Sequence, residues 1–265
     1  MTMPVAGLAQ LVRFRELMVL LVARDLKVRY KRSILGMLWT LLNPLLQMLV
    51  YTLVFSRIMR IGVPQFPVFL LAGLLPWSLV SVSATSSALS LLNNQGLIRK
   101  IAVPQAVYPL SIVGSKLVDM VVSLIPLALL AAVLGRAPGP AWLLLVPAIV
   151  LAACFAAGLS LLFSSMTVFF RDVRHLIDIF FQIWFYVTPI IYPHEFLEKL
   201  GSPLLRTVLS LNPAMPVIRW FQMVVYEGRP PDARTAALAT LSALVTLVLG
   251  FAVFQRLEDE HIHYF

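Results

Sequence analysis

The sequence predicts an all-α integral membrane protein. It would have six transmembrane helices, an N-terminal amphipathic interface helix, and two short re-entrant helices between spans five and six. Three observations predict this. Of the 265 residues, 60% are hydrophobic and only 12% are charged, with a mean hydropathy of +0.90. A soluble domain carries about 25% charged residues, and a water-facing surface cannot be built from so few. The charges also fall between long uncharged stretches, most of them near or above the roughly 20 residues a helix needs to cross the hydrocarbon.

The spans follow in order. Ser33 to Ser56 is uncharged and forms the first span, 33–56. Ile61 to Ile98 is uncharged but long; Pro64 and Pro67 put its helix start near Phe66, and Asn93-Asn94-Gln95-Gly96 ends it, which gives 66–92. The third, 105–134, is broken only by Lys116 and Asp119. The fourth, 140–168, is opened by Pro138-Gly139-Pro140, the fifth covers 173–192, and the sixth covers 235–255. Between the last two, the apolar segment 195–228 is interrupted by Arg206 and Arg219, and Pro213 and Pro216 divide it further. Its uncharged part is too short to cross and too apolar for an ordinary loop, so it reads as two short helices dipping in from one side.

Six spans put both termini on one side, and basic residues choose which. Twelve Lys and Arg fall on the side of the termini and eight on the other, so the termini are expected in the cytoplasm. No signal peptide is expected, because the run Leu17 to Ala23 is short and bracketed by Glu16 and Arg24. Ahead of the first span, Leu11, Phe14, Met18, Val22 and Leu26 share one helical face, with Arg13, Glu16, Arg24, Lys27 and Lys31 opposite, and Arg15 and Asp25 break the pattern. This is the pattern of a basic helix lying in the interface, as an anchor or as a docking surface. The excess charge of +9 is explained by these loops rather than by nucleic acid.

Catalytic patterns are missing. There is no G-x-x-x-x-G-K-[ST] phosphate loop, no H-E-x-x-H, no G-x-S-x-G and no cysteine cluster; Cys154 stands alone. The chain is therefore expected not to be an enzyme, to hold no metal, and to bind no cofactor itself. His261-Ile262-His263 reads as a solvated tail. Lys116 and Asp119 lie i, i+3 on one helix face, close enough to pair. Intramembrane charge faces protein or water, and a neutral structural pair is the simpler reading. The aromatics Tyr51, Phe55, Phe66, Trp77, Trp184, Tyr186, Tyr192 and Trp220 lie toward the outer side. They fit an interfacial belt or the lining of a path for sugar rings, whose C–H faces stack on aromatic planes.

Five stretches then carry a resemblance: "RDLKVRYKRSILGMLWTLLNPLLQMLVYTLVF", "FLLAGLLPWSLV", "LIRKIAVPQAVYPLS", "FFRDVRHLIDIFFQIWFYVTPIIYP" and "LNPAMPVIRWF". In this order and spacing the chain resembles the ABC-2 type polysaccharide export permeases over nearly its whole length, as a single transmembrane domain, 1–265. The resemblance implies the membrane subunit of an exporter for a lipid-linked polysaccharide such as O-antigen, capsular polysaccharide or teichoic acid. It implies a homodimer in the bacterial inner membrane with two separate ATP-binding subunits, which would hold ATP and Mg. It implies an interface helix at 8–32, a coupling helix at 94–104 and re-entrant gate helices at 195–228. Leu97, Arg99, Lys100, Ile101 and Pro104 would meet the ATPase, helped by Arg171, Asp172 and Arg174 in the turn between spans four and five. That charged turn also has a plain structural reading: it stops one helix, and Asp172 suits the N-terminal dipole of the next. A fused ATPase or sugar-binding domain is not expected. The rival readings are a permease for a drug or plain lipid, a membrane-embedded glycosyl- or acyltransferase, and a secondary transporter.

Overall fold

A computed structural model describes residues 13–31, 35–36, 38–60, 62–100, 103–194, 196, 207 and 209–264. Among these residues the chain is helical, with no strand. α1 is Arg15–Tyr30, α2 is Leu38–Tyr51 and continues as a widened π-helical turn through Thr52–Ile58, and α3 is Phe66–Ala88. Two single turns follow, α4 (Ser90–Asn93) and α5 (Gln95–Ile98), before α6 (Val107–Val133). A 3₁₀ turn at Pro140–Leu144 leads into α7 (Leu145–Phe169), and α8 is Val173–Val187. α9 (Ala214–Phe221) runs on as a π-helical turn, Gln222–Tyr226, and α10 is Ala233–Tyr264.

Among the described residues, five helical stretches are long and apolar enough to cross a membrane: Leu38–Ile58, Phe66–Ala88, Val107–Val133, Pro140–Phe169 and Ala233–His261. The stretch expected as the fifth span, 173–192, is helical only to Val187. Its 15 residues give about 22 Å of helix, short of the ~30 Å hydrocarbon. The cause is Pro189, which drives Thr188 to an extended conformation at φ −93°, ψ 133°. The last helix is longer than the apolar run 235–255 and continues to Tyr264. Asp232 starts it, accepting the Thr235 backbone N–H at 3.0 Å and the Thr235 hydroxyl at 2.8 Å. These two bonds hold the Asp232 carboxyl below its ordinary pKa.

α3 is the central helix. It is apolar all round, and such a helix is buried; Val68, Leu70, Ala84 and Ala88 have no exposed surface. α6, α7, α8 and α9 pack around it. α2 is the opposite case and buries no residue. The largest helix pair is α7 with α10, crossing where Gly158 meets Gly250. A Cβ on either would overlap the partner's backbone, so only glycine lets these helices come so close. At the α1 end of the bundle, a second apolar cluster gathers Leu21, Leu91, Ile98, Val107, Leu161 and Phe254.

α1 falls within the expected 8–32; residues 8–12 lie outside the described residues. Phe14, Leu17, Met18, Leu21 and Val22 pack on the bundle, while Val19, Leu20 and Val28 are exposed beside Arg24, Lys27 and Lys31. Of the segment 195–228, residues 195, 197–206 and 208 lie outside the described residues, and so does nearly all of the first expected re-entrant helix.

Candidate functional site

The site begins where α1 meets α6. Arg29 Nη1 donates to Asp119 Oδ2, and Nη2 donates to Asp25 Oδ2 at 2.5 Å, one turn back on α1. Lys116 Nζ lies 3.7 Å from the same Asp119 oxygen. Lys116 and Asp119 therefore do share a helix face as their spacing predicts, but they do not form a self-sufficient pair. The network has two carboxylates and two cations, so it is formally neutral, and neutrality is what makes charge tolerable near hydrocarbon. Ser123 extends it: its hydroxyl lies 2.8 Å from the Asp119 carbonyl and 3.2 Å from the Thr40 carbonyl of α2.

Arg29, Lys116 and Asp119 line a cavity of about 390 Å³ together with Asn43, Gln47 and Ser78. A second cavity, of about 340 Å³, adjoins it and shares Gln47, Ser78 and Val82. Its wall is formed by Tyr51, Trp77, Ser81, Gln182, Phe185 and Tyr186. A tract thus runs along α2, α3 and α8, charged at one end, amide- and hydroxyl-lined in the middle, and aromatic beyond, with the Asp178 carboxylate set on the aromatic part. Ser78, Ser81 and Thr85 repeat at i, i+3, i+7 on α3 and so present one polar stripe to it. That spacing is visible in the sequence, as are Gln47 and Gln182 inside apolar runs, yet attention to charges alone passes over them.

The eight aromatics singled out above separate into groups. Tyr51, Trp77 and Tyr186 line the second cavity. Tyr51 stacks on Phe185 at 5.7 Å, and Trp77 meets Trp184 edge-on at 5.7 Å. Phe55 and Tyr192 are half-buried against the core. Phe66 and Trp220 are core residues, and Trp220 Nε1 donates to the Leu144 carbonyl at 3.2 Å.

At the far end, a polar lock fastens α9 to α8. Trp184 Nε1 donates to Asn212 Oδ1 at 2.8 Å, and Asn212 Nδ2 donates to Thr188 Oγ1 at 2.9 Å. The same Asn212 Oδ1 accepts the Ala214 N–H at 3.0 Å and so caps α9. Gln222, fully buried, donates to the Pro189 carbonyl at 2.9 Å.

At the α1 end, α5 turns Leu97 outward and Ile98 into the core, with Arg99 and Lys100 exposed and Pro104 half-buried. Ile101 lies outside the described residues. Arg171 and Asp172 are exposed in the turn between α7 and α8, and Arg174 is exposed in the first turn of α8, at the same end as α5. His261, expected in a solvated tail, is instead fully buried, against the rings of Phe169 and Phe254. Among the described residues, no group of three or more His, Cys, Asp or Glu could hold a metal ion.

The profile of the ABC-2 type transporter family matches residues 16–226. The chain is 37% identical to the O-antigen export system permease protein RfbA of Myxococcus xanthus, over 95% of this chain and 96% of the relative. It is 30% identical to a protein of the same name from Klebsiella pneumoniae, over 92% of each. It is 26% identical to the polysialic acid transport protein KpsM of Escherichia coli, over 89% of this chain and 91% of the relative. The match covers the helices that build the tract, the lock and the α5 turn, and the chain belongs to the ABC-2 type transporter family, among its polysaccharide export permeases.

Proposed function

We propose that this chain is the membrane subunit of an ATP-driven exporter that moves a lipid-linked polysaccharide out of the cytoplasm. The observation that carries the proposal is the tract along α2, α3 and α8. A chain made 60% of hydrophobic residues would have no use for a lengthwise row of amides, hydroxyls and aromatic rings unless something polar passes there. Amides and hydroxyls exchange hydrogen bonds with sugar hydroxyls, and rings accept sugar C–H faces. Chains similar to this one are named for O-antigen export and for polysialic acid transport, both of them glycans.

The tract is open along α2 and α8. α2 buries no residue, and Leu176, Ile179, Ile183 and Tyr186 of α8 are exposed. A second copy laid over these faces would close the tract into a duct, which is why the working unit is a homodimer. The topology has six crossings, with α8 and the residues to Tyr192 as the fifth, and both termini in the cytoplasm of a bacterial inner membrane. α1 is the interface helix. α9, with the segment preceding it, is the re-entrant gate at the outer end. Leu97, Arg99, Lys100 and Ile101 meet an ATP-binding subunit, with Arg171, Asp172 and Arg174 beside them. ATP and Mg are bound and hydrolysed there, two such subunits serving the dimer. ATP binding there pushes the α5 end and the interface helix α1, the duct opens, and the glycan is threaded outward past the gate.

The test is complementation. A strain lacking its own exporter should regain surface polysaccharide when it receives this chain together with the cognate ATP-binding subunit, and only when that subunit hydrolyses ATP. A glycan that stays inside the cell while both chains are assembled in the membrane would reject the proposal, and export of an unglycosylated lipid or a drug in its place would favour the rival.

A further inference from the structure

Gln105 directs three separate hydrogen bonds to one place more than 150 residues away. Its backbone N–H donates to Glu258 Oε1 at 2.8 Å, its side-chain amide donates to the Glu258 carbonyl at 3.0 Å, and its Oε1 lies 2.9 Å from His261 Nδ1. Gln105 and His261 are both buried, at 5% and 0% exposure. Gln105 sits just before α6, where a backbone N–H has no intrahelical acceptor, and Glu258 supplies one. Pro104 ahead of it has no N–H to offer.

Nothing about crossing a membrane requires this arrangement. The apolar run of α10 ends at about Gln255, and the helix then continues through Arg256, Glu258, Asp259 and Glu260 to Tyr264. Those nine further residues add about 13 Å of helix, enough to reach Gln105. The ring of His261 closes the joint from above, 5.6 Å from Phe169 and 5.5 Å from Phe254. The end of α10, the start of α6 and the end of α7 are thereby one fastened unit. Its other margin is α5, a single turn that cannot hold its own shape in water.

We propose that Glu258 and His261 are positioning residues for energy coupling. Through Gln105 they hold the chain leaving α5 at a fixed place, so that a push received at α5 moves α6 and α10 together. This rests on the reading of residues 94–104 as the contact with the ATP-binding subunit. A mere fastener would act on folding; a positioning joint acts on how much transport each ATP yields.

The test uses the full complex of this chain with its cognate ATP-binding subunit. Glu258→Ala and His261→Ala should leave membrane insertion, capture of that subunit and ATP hydrolysis within two-fold of the parent. Export should fall at least ten-fold. Glu258→Gln keeps an oxygen for the Gln105 N–H, and His261→Asn keeps a donor near Nδ1, so both should restore most of the export. Export that falls only in proportion to the amount of folded complex, or that does not fall, overturns the proposal. Should the alanine variants not fold, Gln105→Cys with Glu258→Cys in a Cys154→Ala background can be bridged with a short bifunctional thiol reagent. The bridged complex should export normally, since the joint moves as one body. A bridged complex that hydrolyses ATP but exports only after the bridge is cleaved contradicts it. Failure of the underlying reading looks different: Leu97→Asp would then leave capture of the ATP-binding subunit unchanged.

Discussion

Arg29 of α1 donates to the same Asp119 oxygen that Lys116 approaches to 3.7 Å, so one carboxylate inside α6 holds a cation from each of two helices. The three side chains are between 16% and 29% exposed, partly screened rather than sealed. The two cations are not equivalent. Lys116 comes with α6, but Arg29 has to be brought by α1 from 90 residues away.

Removing Asp119 should therefore cost more than removing either partner. Asp119→Ala leaves Arg29 with Asp25 and takes from Lys116 the carboxylate it approaches, and a hydrogen bond to a charged group contributes about 1.5–3 kcal/mol, toward the lower end at partial exposure. Arg29→Ala leaves Asp119 with Lys116 and should cost about half as much. Thermal unfolding of the purified protein in detergent reads this order. Equal losses from both variants would mean that Lys116 does not compensate.

Gly158 and Gly250 should tolerate no side chain. A methyl on either meets backbone of the facing helix, which cannot rotate away as a side chain can. Gly158→Ala and Gly250→Ala should each cost about 3 kcal/mol, the upper end for overpacking. Gly62→Ala and Gly96→Ala meet nothing within 4 Å and should be close to neutral. Yield and melting temperature of the four variants, compared side by side, check it.

The lock between α8 and α9 should appear as a coupling energy. Asn212→Ala strands the Trp184 N–H and uncaps α9; Trp184→Phe removes the N–H and leaves Asn212 to Ala214 and Thr188. A double-mutant cycle should return about 1 kcal/mol, within the range for residues in one network. Additive losses would show that the two side chains act separately.

Leu97 and Ile98 are adjacent but should behave oppositely. Leu97 is 36% exposed and Ile98 only 8%. Burying an apolar anchor in a partner contributes about 1.5–3 kcal/mol, so Leu97→Asp should weaken capture of the ATP-binding subunit roughly ten- to a hundred-fold with the melting temperature unchanged. Ile98→Asp puts a carboxylate in the core beside Leu21 and Phe254 and should lower the melting temperature instead. Co-purification and thermal unfolding of the two variants separate these effects.

How much of this was legible depended on whether the signal was local. Uncharged runs locate α3, α6 and α7 within a few residues because crossing a membrane is a requirement on consecutive residues. The early stop of α8 was legible too, since Thr188-Pro189 carries its own restriction, but counting apolar residues through to Tyr192 hides it. The helical end of α10 was not: Glu258 and His261 look like solvated tail residues until Gln105, far away in sequence, takes up their hydrogen bonds. Arg29 belongs with Asp119 for the same reason. The close approach at Gly158 and Gly250 leaves no mark, because a glycine in an apolar run looks the same whether or not another helix touches it. Tyr51, Trp77 and Phe66 are all aromatics of one region, and only packing puts the first two on the tract and the third in the core.

Glycan passing along the tract during export should be within reach of a photo-cross-linker placed there. A photoreactive phenylalanine analogue in place of Ser78 or Gln182, in a complex caught exporting, should attach polysaccharide to the permease on illumination. The same analogue in place of Val248, which is exposed on α10 away from both cavities, should not. Carbohydrate staining of the purified permease gives the answer. Labelled bands at Ser78 and Gln182 should appear and vanish without ATP; export that proceeds with neither position labelled, or with Val248 labelled equally, would show that the glycan does not travel along the tract.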